Sequence, residues 1–191
     1  MPSPFSRRRS AVLTVAVTIA LLATACAGTA RLPHSAGSPG LPGNAREQQL
    51  ELDLIARVNA ERAARGLRQL VVDPNLTNAA YGWSQTMAAQ NTMHHSDLNA
   101  WINPFIADAE NIAWETSPGM SSGDMHVMWM RSDGHRHNIL APNLTHVGIG
   151  IVCVNGKMWG TERFGSTASP DFGALPPVDP IARADRGGLA C

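Results

Sequence analysis

The chain has 191 residues, enough for one domain with extensions. Hydrophobic residues make up 44% of it and charged residues 16%, which is typical of a globular protein and excludes a disordered one. Basic and acidic residues number 15 each, and without the three arginines of the predicted targeting segment 12 remain against 15. A chain with this charge balance lacks the excess of basic residues that is typical of nucleic-acid-binding domains and of polybasic membrane-binding patches. We therefore predict no nucleic-acid partner.

The first 26 residues are typical of an export signal. Arg7, Arg8 and Arg9 precede an apolar stretch over residues 11–25, which is too short to span a bilayer and ends in small residues suited to cleavage. Cys26 follows directly, and residues 22–26 resemble the lipobox of bacterial lipoproteins, although Leu is commoner where Ala23 stands. We expect an exported protein that is either tethered to the outer face of the membrane through lipidated Cys26 or secreted freely.

The next segments predict a linker and two helices. Residues 27–46 consist largely of Gly, Pro, Ala, Ser and Asn, a composition that favours a flexible linker. Residues 47–65 carry apolar side chains at helical spacing, and Gly66 stands where a glycine would end that helix. Asp73 and Pro74 then provide an N-cap and a first helical residue, which predicts a second helix over residues 74–91.

The second half of the chain predicts a helix, a hairpin and a tail. Residues 121–132 form the third helix, after which Asp133-Gly134 predicts a turn because Gly accepts positive φ without steric cost. Residues 147–154 alternate as a strand, and Asn155-Gly156 predicts a two-residue hairpin turn into a partner strand over residues 157–164. Residues 167–191 return to Pro, Gly, Ala and Ser and predict a flexible tail.

Two features of this half leave alternatives open. In the register of a two-residue turn, Glu162 falls on the apolar face of the hairpin, either as an edge residue that reaches solvent or as a carboxylate that points into a cleft. After export, Cys153 and Cys191 are the two cysteines beyond Cys26 in an oxidising compartment. They either form a disulfide, or Cys153 is a buried thiol and Cys191 a free terminal one.

Three short segments carry the candidate functional residues. The first follows the second helix and contains His95, the second places Glu110 and Asn111 between apolar neighbours, and the third is the predicted loop over residues 133–138. A carboxylate flanked by apolar residues is often buried and then needs a partner, and the available partners are His95, His135 and Arg136. The candidate cleft residues are therefore His95, Glu110, Asn111, His135, Arg136 and Asn138.

Several motifs occur in an order that resembles a single protein family. They are His95-Ser96, Glu110-Asn111-Ile112, Trp129-Met130, Gly134-His135-Arg136-x-Asn138-Ile139-Leu140, Val147-Gly-Ile-Gly150 and Trp159 with Phe164-Gly165. Together they are similar to bacterial members of the CAP superfamily, the SCP domain of cysteine-rich secretory proteins, antigen 5 and pathogenesis-related 1. The resemblance covers about residues 47–166.

The resemblance implies an α+β fold of three layers, an α-β-α sandwich in which helices flank a small, mainly antiparallel sheet. It also implies a cleft with two histidines and two acids that is able to hold a divalent cation. By position the ligands are His95, His135 and Glu110, with His94 as an alternate for His95. Ser132 stands where many members have the second acid, and Asp133 or Glu162 would have to replace it.

Two imidazoles and a carboxylate suit Zn²⁺ best among divalent cations. From these features we predict a monomeric, non-enzymatic binding module outside the cytoplasm for a lipid, a sterol or another apolar ligand. A metal-dependent hydrolase or protease that uses His95, Glu110 and His135 is the first alternative. The second is a purely structural polar network in an envelope or host-interaction protein, because buried polar groups normally satisfy one another.

Overall fold

The computed structural model describes residues 40–98, 105, 107–116, 121–167 and 187–191, all within one compact unit, His34–Cys191. The predicted export signal over residues 1–26, including Cys26, lies outside the described residues, and so does most of the predicted linker. Within the described ranges no helix is both long and apolar enough to cross a bilayer.

Four helices form in the described residues, each beginning where a side chain caps its first turn or where the chain bends. They are α1 Ala45–Ala64, α2 Pro74–Gln90, α3 Ser122–Arg131 and α4 Asp133–Leu140. Asn44 accepts hydrogen bonds from the backbone of Arg46 and Glu47, so α1 begins two residues before its predicted start. Asp73 caps α2, as predicted, and Asn91 ends it in a left-handed conformation.

A four-stranded sheet lies between the helices. Its strands are β1 Val71–Val72, β2 Ala107–Thr116, β3 His146–Val154 and β4 Lys157–Ser166, in the spatial order β1-β3-β4-β2. Among these described strands only the β1–β3 pair is parallel, which confirms the mainly antiparallel sheet. Asn155 and Gly156 have φ of 51° and 70°, as the predicted two-residue hairpin turn requires. The register is also the predicted one, with Ile149 opposite Glu162.

The helices cover both faces of the sheet and make the three-layer α-β-α sandwich that the resemblance implies. Helix α2 packs on one face, against β3 and β4, whereas α1, α3 and α4 pack on the other. The main core lies between α1, α3, α4 and the sheet, and it includes the fully buried Leu54, Trp129 and Ile149. A second, smaller cluster joins Met87 of α2 to the opposite face. The sheet is therefore buried on both sides along most of its length.

Helix α2 lies unusually close to β3. A Cβ atom at Gly150 would stand 2.0 Å from the backbone nitrogen of Tyr81, and one at Gly148 would stand 2.1 Å from that of Thr77. Side chains are thus absent at two alternate positions of β3, where the backbone of α2 replaces them. This contact fixes the position of α2 and of the segment that follows it.

A buried guanidinium ties α1 to the end of α4. Arg62 is fully buried and donates to the backbone carbonyls of Ile139 at 2.8 Å, Ala141 at 2.9 Å and Leu144 at 3.3 Å, and to that of Arg68 at 2.8 Å. Burial lowers the pKa of Arg62 to about 10, so the group stays charged at neutral pH. Carbonyls at a helix C-terminus have no partner within the helix, and here a single side chain supplies one.

Two carboxylates of α1 satisfy backbone groups of β3 beyond its short pairing with β1. Glu51 Oε1 accepts from the backbone N–H of Ile151 at 3.0 Å, and Glu47 Oε1 accepts from that of Cys153 at 2.9 Å. Burial, which outweighs the Ile151 hydrogen bond, raises the pKa of Glu51 to about 8, and the charge of Glu47 adds to the shift. Both glutamates are buried, on the side of α1 that contacts β3.

The last five residues differ from the predicted flexible tail. Cys191 forms a disulfide with Cys153, with their Cα atoms 5.5 Å apart, so of the two alternatives for these cysteines the structure contains the bond. The carbonyl of Leu189 accepts from the backbone of Ser122 at 2.8 Å, and Arg46 donates to the carbonyl of Ala190 at 2.7 Å. Residues 168–186 of the predicted tail lie outside the described residues.

Two further expectations from the sequence were wrong. The chain bends at Ser132, which has an extended conformation, and Gly134 lies inside α4 without a positive φ, so residues 133–138 are helical instead of forming a turn and loop. Glu162 is not an edge residue, because β4 lies between β3 and β2, and it is fully buried.

The contact between α2 and β3 generates a paired prediction. We expect Gly150→Ala to lower the free energy of unfolding by about 3 kcal/mol, because its Cβ would meet backbone atoms that cannot move independently. Gly82→Ala in α2 is the control, since a Cβ there meets nothing within 4 Å, and we expect it to stabilise by up to about 1 kcal/mol. Urea denaturation measures both. Equal stabilities for the two variants would contradict the close packing.

Candidate functional site

The candidate cleft lies along β2, the last strand of the described sheet, and both helical layers contribute to it. Successive strand residues point to opposite faces, so Glu110, opposite Arg163, faces the layer of α2, and Asn111, opposite Glu162, faces the layer of α4. The segment after α2 brings His95 to this edge from one side. The first turn of α4 brings His135 from the other side.

Four donor groups surround the buried carboxylate of Glu110. Oε1 accepts from His95 Nδ1 at 2.9 Å and from the backbone of Ser96 at 3.0 Å. Oε2 accepts from the Ser96 hydroxyl at 2.7 Å and lies 3.2 Å from the guanidinium of Arg163, which also donates to that hydroxyl. The side chain of Glu110 is fully buried and that of Arg163 is 3% exposed. A buried carboxylate is tolerated because its charge and hydrogen bonds are satisfied in this way.

The Glu110 carboxylate also fixes the orientation of His95. Because the carboxylate accepts at Nδ1, that nitrogen carries a proton, and in the neutral form of the ring the lone pair is on Nε2. The imidazole of His95 is 59% exposed, in contrast to its partner. His95 can therefore present Nε2 to a ligand, a metal ion or a proton.

On the other face, Asn111 joins β2 to β4 and α4. Its side-chain amide donates to the carbonyl of His135 at 3.1 Å and to Glu162 Oε2 at 2.8 Å, and its carbonyl oxygen accepts from Asn138 at 2.9 Å. Asn138 also donates to the backbone carbonyl of Glu110 at 3.3 Å. Burial raises the pKa of Glu162 to about 8, against the opposing effect of the Asn111 bond. The amides of Asn111 and Asn138 hold α4 against the sheet edge, at its first turn and near its C-terminal end.

The resulting cleft is open and has a volume of about 540 Å³. All of its lining residues except Gly134 have polar side chains: His95, Glu110, Ser132, Gly134, His135, His137 and Asn138. Burial and the neighbouring His95 lower the pKa of His135, in that order of size. The two imidazoles thus face the same space closely enough to interact. His135 Nδ1 is buried and has no hydrogen-bond partner in the described part of the chain.

An apolar hollow adjoins the polar cleft. It has a volume of about 130 Å³ and is lined by Met93, Ile112, Ala113, Trp114, Met128 and His135. Met93 is 48% exposed and Trp114 is 38% exposed, although both are large hydrophobic residues. His135 is the residue that the linings of the two spaces share, so it lies where the polar cleft meets the apolar hollow.

The structure brings four of the six predicted cleft residues to the cavity wall: His95, Glu110, His135 and Asn138. Asn111 lies behind them as a connector. Arg136 is buried and donates to the carbonyl of Met130 and to Asp133, so it joins α3 to α4 and does not line the cleft. The ring of His94 packs edge-on against Trp83 instead.

Four residues of the site were not among the six predicted cleft residues, although Ser96, Ser132 and His137 lie in or beside the segments that carried the prediction. Ser96 and Arg163 complete the Glu110 cluster, and Ser132 and His137 line the cavity. Period-two alternation along β4 would have placed Arg163 on the face opposite to Glu162, but nothing in the sequence aligned it with Glu110. The pairing of β2 with β4 was needed for that.

The predicted zinc ligands fit a cation only in part. Both oxygens of Glu110 already accept hydrogen bonds, so this carboxylate acts behind His95 and not as a free ligand. Among the residues with described positions, no group of three or more His, Cys, Asp or Glu side chains is arranged to hold a metal ion. Binding of zinc by His95, Glu110 and His135 therefore stays a prediction.

The three-layer α-β-α sandwich is the fold that the resemblance to the SCP domain implies. A sequence profile of the Cysteine-rich secretory protein family, CAP, matches residues 55–159, more than half of the chain. The chain belongs to this family. Protein YkwD of Bacillus subtilis (strain 168) is 35% identical over 121 residues, which are 60% of this chain and 46% of YkwD. The chain thus spans less than half the length of this curated relative.

Solved structures with the same fold include two proteins from bacteria. An outer surface protein from Borrelia burgdorferi superimposes with a TM-score of 0.55 and 15% identity, over 61% of this chain and 92% of that one. An extracellular protein containing an SCP domain from Bacillus anthracis gives a TM-score of 0.53 and 24% identity, over 68% of this chain and 45% of that one. At these identities the likeness establishes the fold.

The Glu110 cluster predicts a large effect of a small change. We expect Glu110→Gln to lower the free energy of unfolding by about 3 kcal/mol, because it removes a buried negative charge that lies 3.2 Å from the buried guanidinium of Arg163. Asp133→Asn is the control, because the Asp133 side chain is 77% exposed and its pair with Arg136 contributes under about 1 kcal/mol. Urea denaturation at neutral pH measures both. A loss for Glu110→Gln no larger than that of the control would refute the cluster.

The cleft also predicts a pH dependence. The pKa of His135 is lowered in the folded state, so we expect its NMR titration midpoint below the usual value of about 6.5. The stability linked to this group is then fully present above the unfolded pKa and declines as the pH falls below it. His95→Ala should raise the midpoint by removing the neighbouring charge, and His94→Ala should not. An unchanged midpoint in His95→Ala would show that the two rings do not interact.

Proposed function

We propose that this protein is an exported, non-enzymatic binding module for a molecule with a polar end and an apolar end. The observation that carries the proposal is the junction at His135, where the polar cleft of about 540 Å³ meets the apolar hollow of about 130 Å³. Ligand sites are typically apolar spaces with a few convergent polar groups. The exposure of Met93 and Trp114 at the hollow supports it, because large exposed apolar side chains often mark a binding surface.

The two spaces suggest how such a ligand would lie. Its polar end would meet the imidazoles of His95 and His135, and its apolar end would pack against Met93, Trp114 and Met128. An apolar cavity of about 150 Å³ accepts a benzene-sized molecule, so this hollow suits one ring or a short alkyl group. A lipid or a sterol would place only one end there.

A divalent cation in the cleft is a second part of the proposal. His95 Nε2 and the imidazole of His135 would hold it, with Glu110 behind His95 as the partner that orients the ring. When bound, Zn²⁺ would polarise an oxygen of the ligand and help to hold its polar end. The lowered pKa of His135 supports this role, because a ligating imidazole must be neutral.

Export and attachment complete the proposal. The motif over residues 22–26 supports a lipid tether at Cys26, with free secretion as the alternative. The disulfide between Cys153 and Cys191 suits an oxidising compartment outside the cytoplasm. Similar folds occur in a protein named as an outer surface protein and in one named as extracellular.

Titration of the full chain with labelled fatty acids and sterols tests the binding role. We expect saturable binding, weakened about fivefold to tenfold in Met93→Ser because part of a methionine's apolar contact is lost. Leu52→Ser is the matched control, since Leu52 is 44% exposed on α1 and does not line the hollow. Tryptophan fluorescence or displacement of the labelled ligand gives the affinity.

Other outcomes separate the alternatives. Absence of saturable binding for every apolar probe would refute the binding module. Peptide cleavage that is lost with a chelator and in His135→Ala would favour a metal-dependent hydrolase, in which His95 and Glu110 act as an oriented base. If neither ligand nor metal binds while His95→Ala markedly lowers the melting temperature, the cluster is structural.

A further inference from the structure

The apolar hollow has an unusual set of potential donor atoms. Two thioethers, Met93 and Met128, and one imidazole, His135, share its wall with the indole of Trp114 and two aliphatic residues. No carboxylate, hydroxyl or side-chain amide is among these lining residues. The donors come from three places in the fold, the segment after α2, helix α3 and helix α4, which converge beside β2.

This donor set selects one class of metal ion. Thioether sulfur is a soft ligand that favours copper(I), whereas Mg²⁺, Ca²⁺ and Mn²⁺ prefer oxygen. Imidazole binds copper as well, and His135 has a buried Nδ1 without a hydrogen-bond partner among the described residues. A buried polar atom without a partner requires an explanation, and an ion in the hollow would supply one.

We propose that Met93, Met128 and His135 form a site for a soft monovalent cation, copper(I), in the hollow beside the cleft. The unbranched methionine side chains adapt readily, so two sulfur atoms can close on an ion that enters through the exposed Met93. The ion is bound as copper(I) and leaves as copper(I), so no electron transfer is involved. This role goes beyond the proposed binding of an apolar ligand. The copper(I) site shares His135 with the imidazole pair of the cleft and differs from it in the two thioethers, which replace His95.

Trp114 forms a wall of this site and is not one of its ligands. The ammonium group of Lys157 lies 4.3 Å from the centroid of the Trp114 ring, so this ring already makes a cation–π contact. A second cation gains less from such a ring. Trp114 is nevertheless close enough to report binding through its fluorescence.

Silver(I) is the probe, because it has the same closed d shell as copper(I) and needs no reductant. The full chain with Cys26→Ser removes the one cysteine outside the disulfide, which would otherwise bind the ion. We expect one silver ion per chain and quenching of tryptophan fluorescence. Copper(I), supplied against a competing chelator, should bind at the same stoichiometry.

Matched substitutions locate the ion. Met93→Leu and Met128→Leu keep an apolar side chain of similar size and remove only the sulfur, so we expect each to weaken silver binding by at least about tenfold, the cost of losing even an outer partner of a metal site. Met130→Leu on α3 is the control, because Met130 is buried in the main core and does not line the hollow. Binding of Zn²⁺ should not change in the Met→Leu variants, because zinc prefers the imidazoles.

Three results would overturn the proposal. They are the absence of silver binding, full binding in both Met93→Leu and Met128→Leu, and loss of binding in His95→Ala alone, which would place the ion in the cleft. Failure of this site and failure of the binding module are distinguishable, because the apolar probes are titrated without metal. If both proposals hold, saturating silver should weaken binding of the apolar probe, since both occupants need the same hollow.

Discussion

The buried carboxylate of Glu110 is the interaction on which the whole cleft depends. A charge inside the protein must be matched by donors, and here His95, Ser96 and Arg163 supply them from two different parts of the chain. These hydrogen bonds hold the segment after α2 at the sheet edge, and they leave the ring of His95 exposed. The carboxylate therefore does not need to touch a ligand in order to define where one would bind. It acts through the groups it holds.

Helix α4 is held from three directions, which explains how a helix of eight residues can position His135. Arg62 binds carbonyl groups at its C-terminal end, Asn111 binds the carbonyl of its first turn, and Arg136 ties it to α3. A helix this short is marginal in isolation, so its geometry comes from tertiary contacts. His135 is thereby placed at the boundary between a polar and an apolar space, and the chemistry of the site depends on that boundary.

Much of the fold follows from local signals, and the exceptions have physical causes. The hairpin at Asn155-Gly156 and the cap at Asp73 were predictable because short-range sterics and hydrogen bonds decide them. Strand β2 was not assigned from the sequence, since alanines and polar residues at its start have low strand propensity and pairing with β4 decides its conformation.

Helix α4 was missed for a related reason, because Asp133-Gly134 favours a turn unless distant contacts override it. The candidate cleft was predictable through its histidines and Glu110, whereas the contribution of Arg163 depended on strand pairing.

The two carboxylates of α1 that bind the backbone of β3 have a wider consequence. Bare edge N–H groups are a template on which the strand of another molecule can add, and Glu47 and Glu51 occupy them with acceptors from within the same chain. Even with a proton on its second oxygen, Glu51 keeps a carbonyl-type acceptor on the backbone, so this flank resists fibrillar self-association across the neutral pH range.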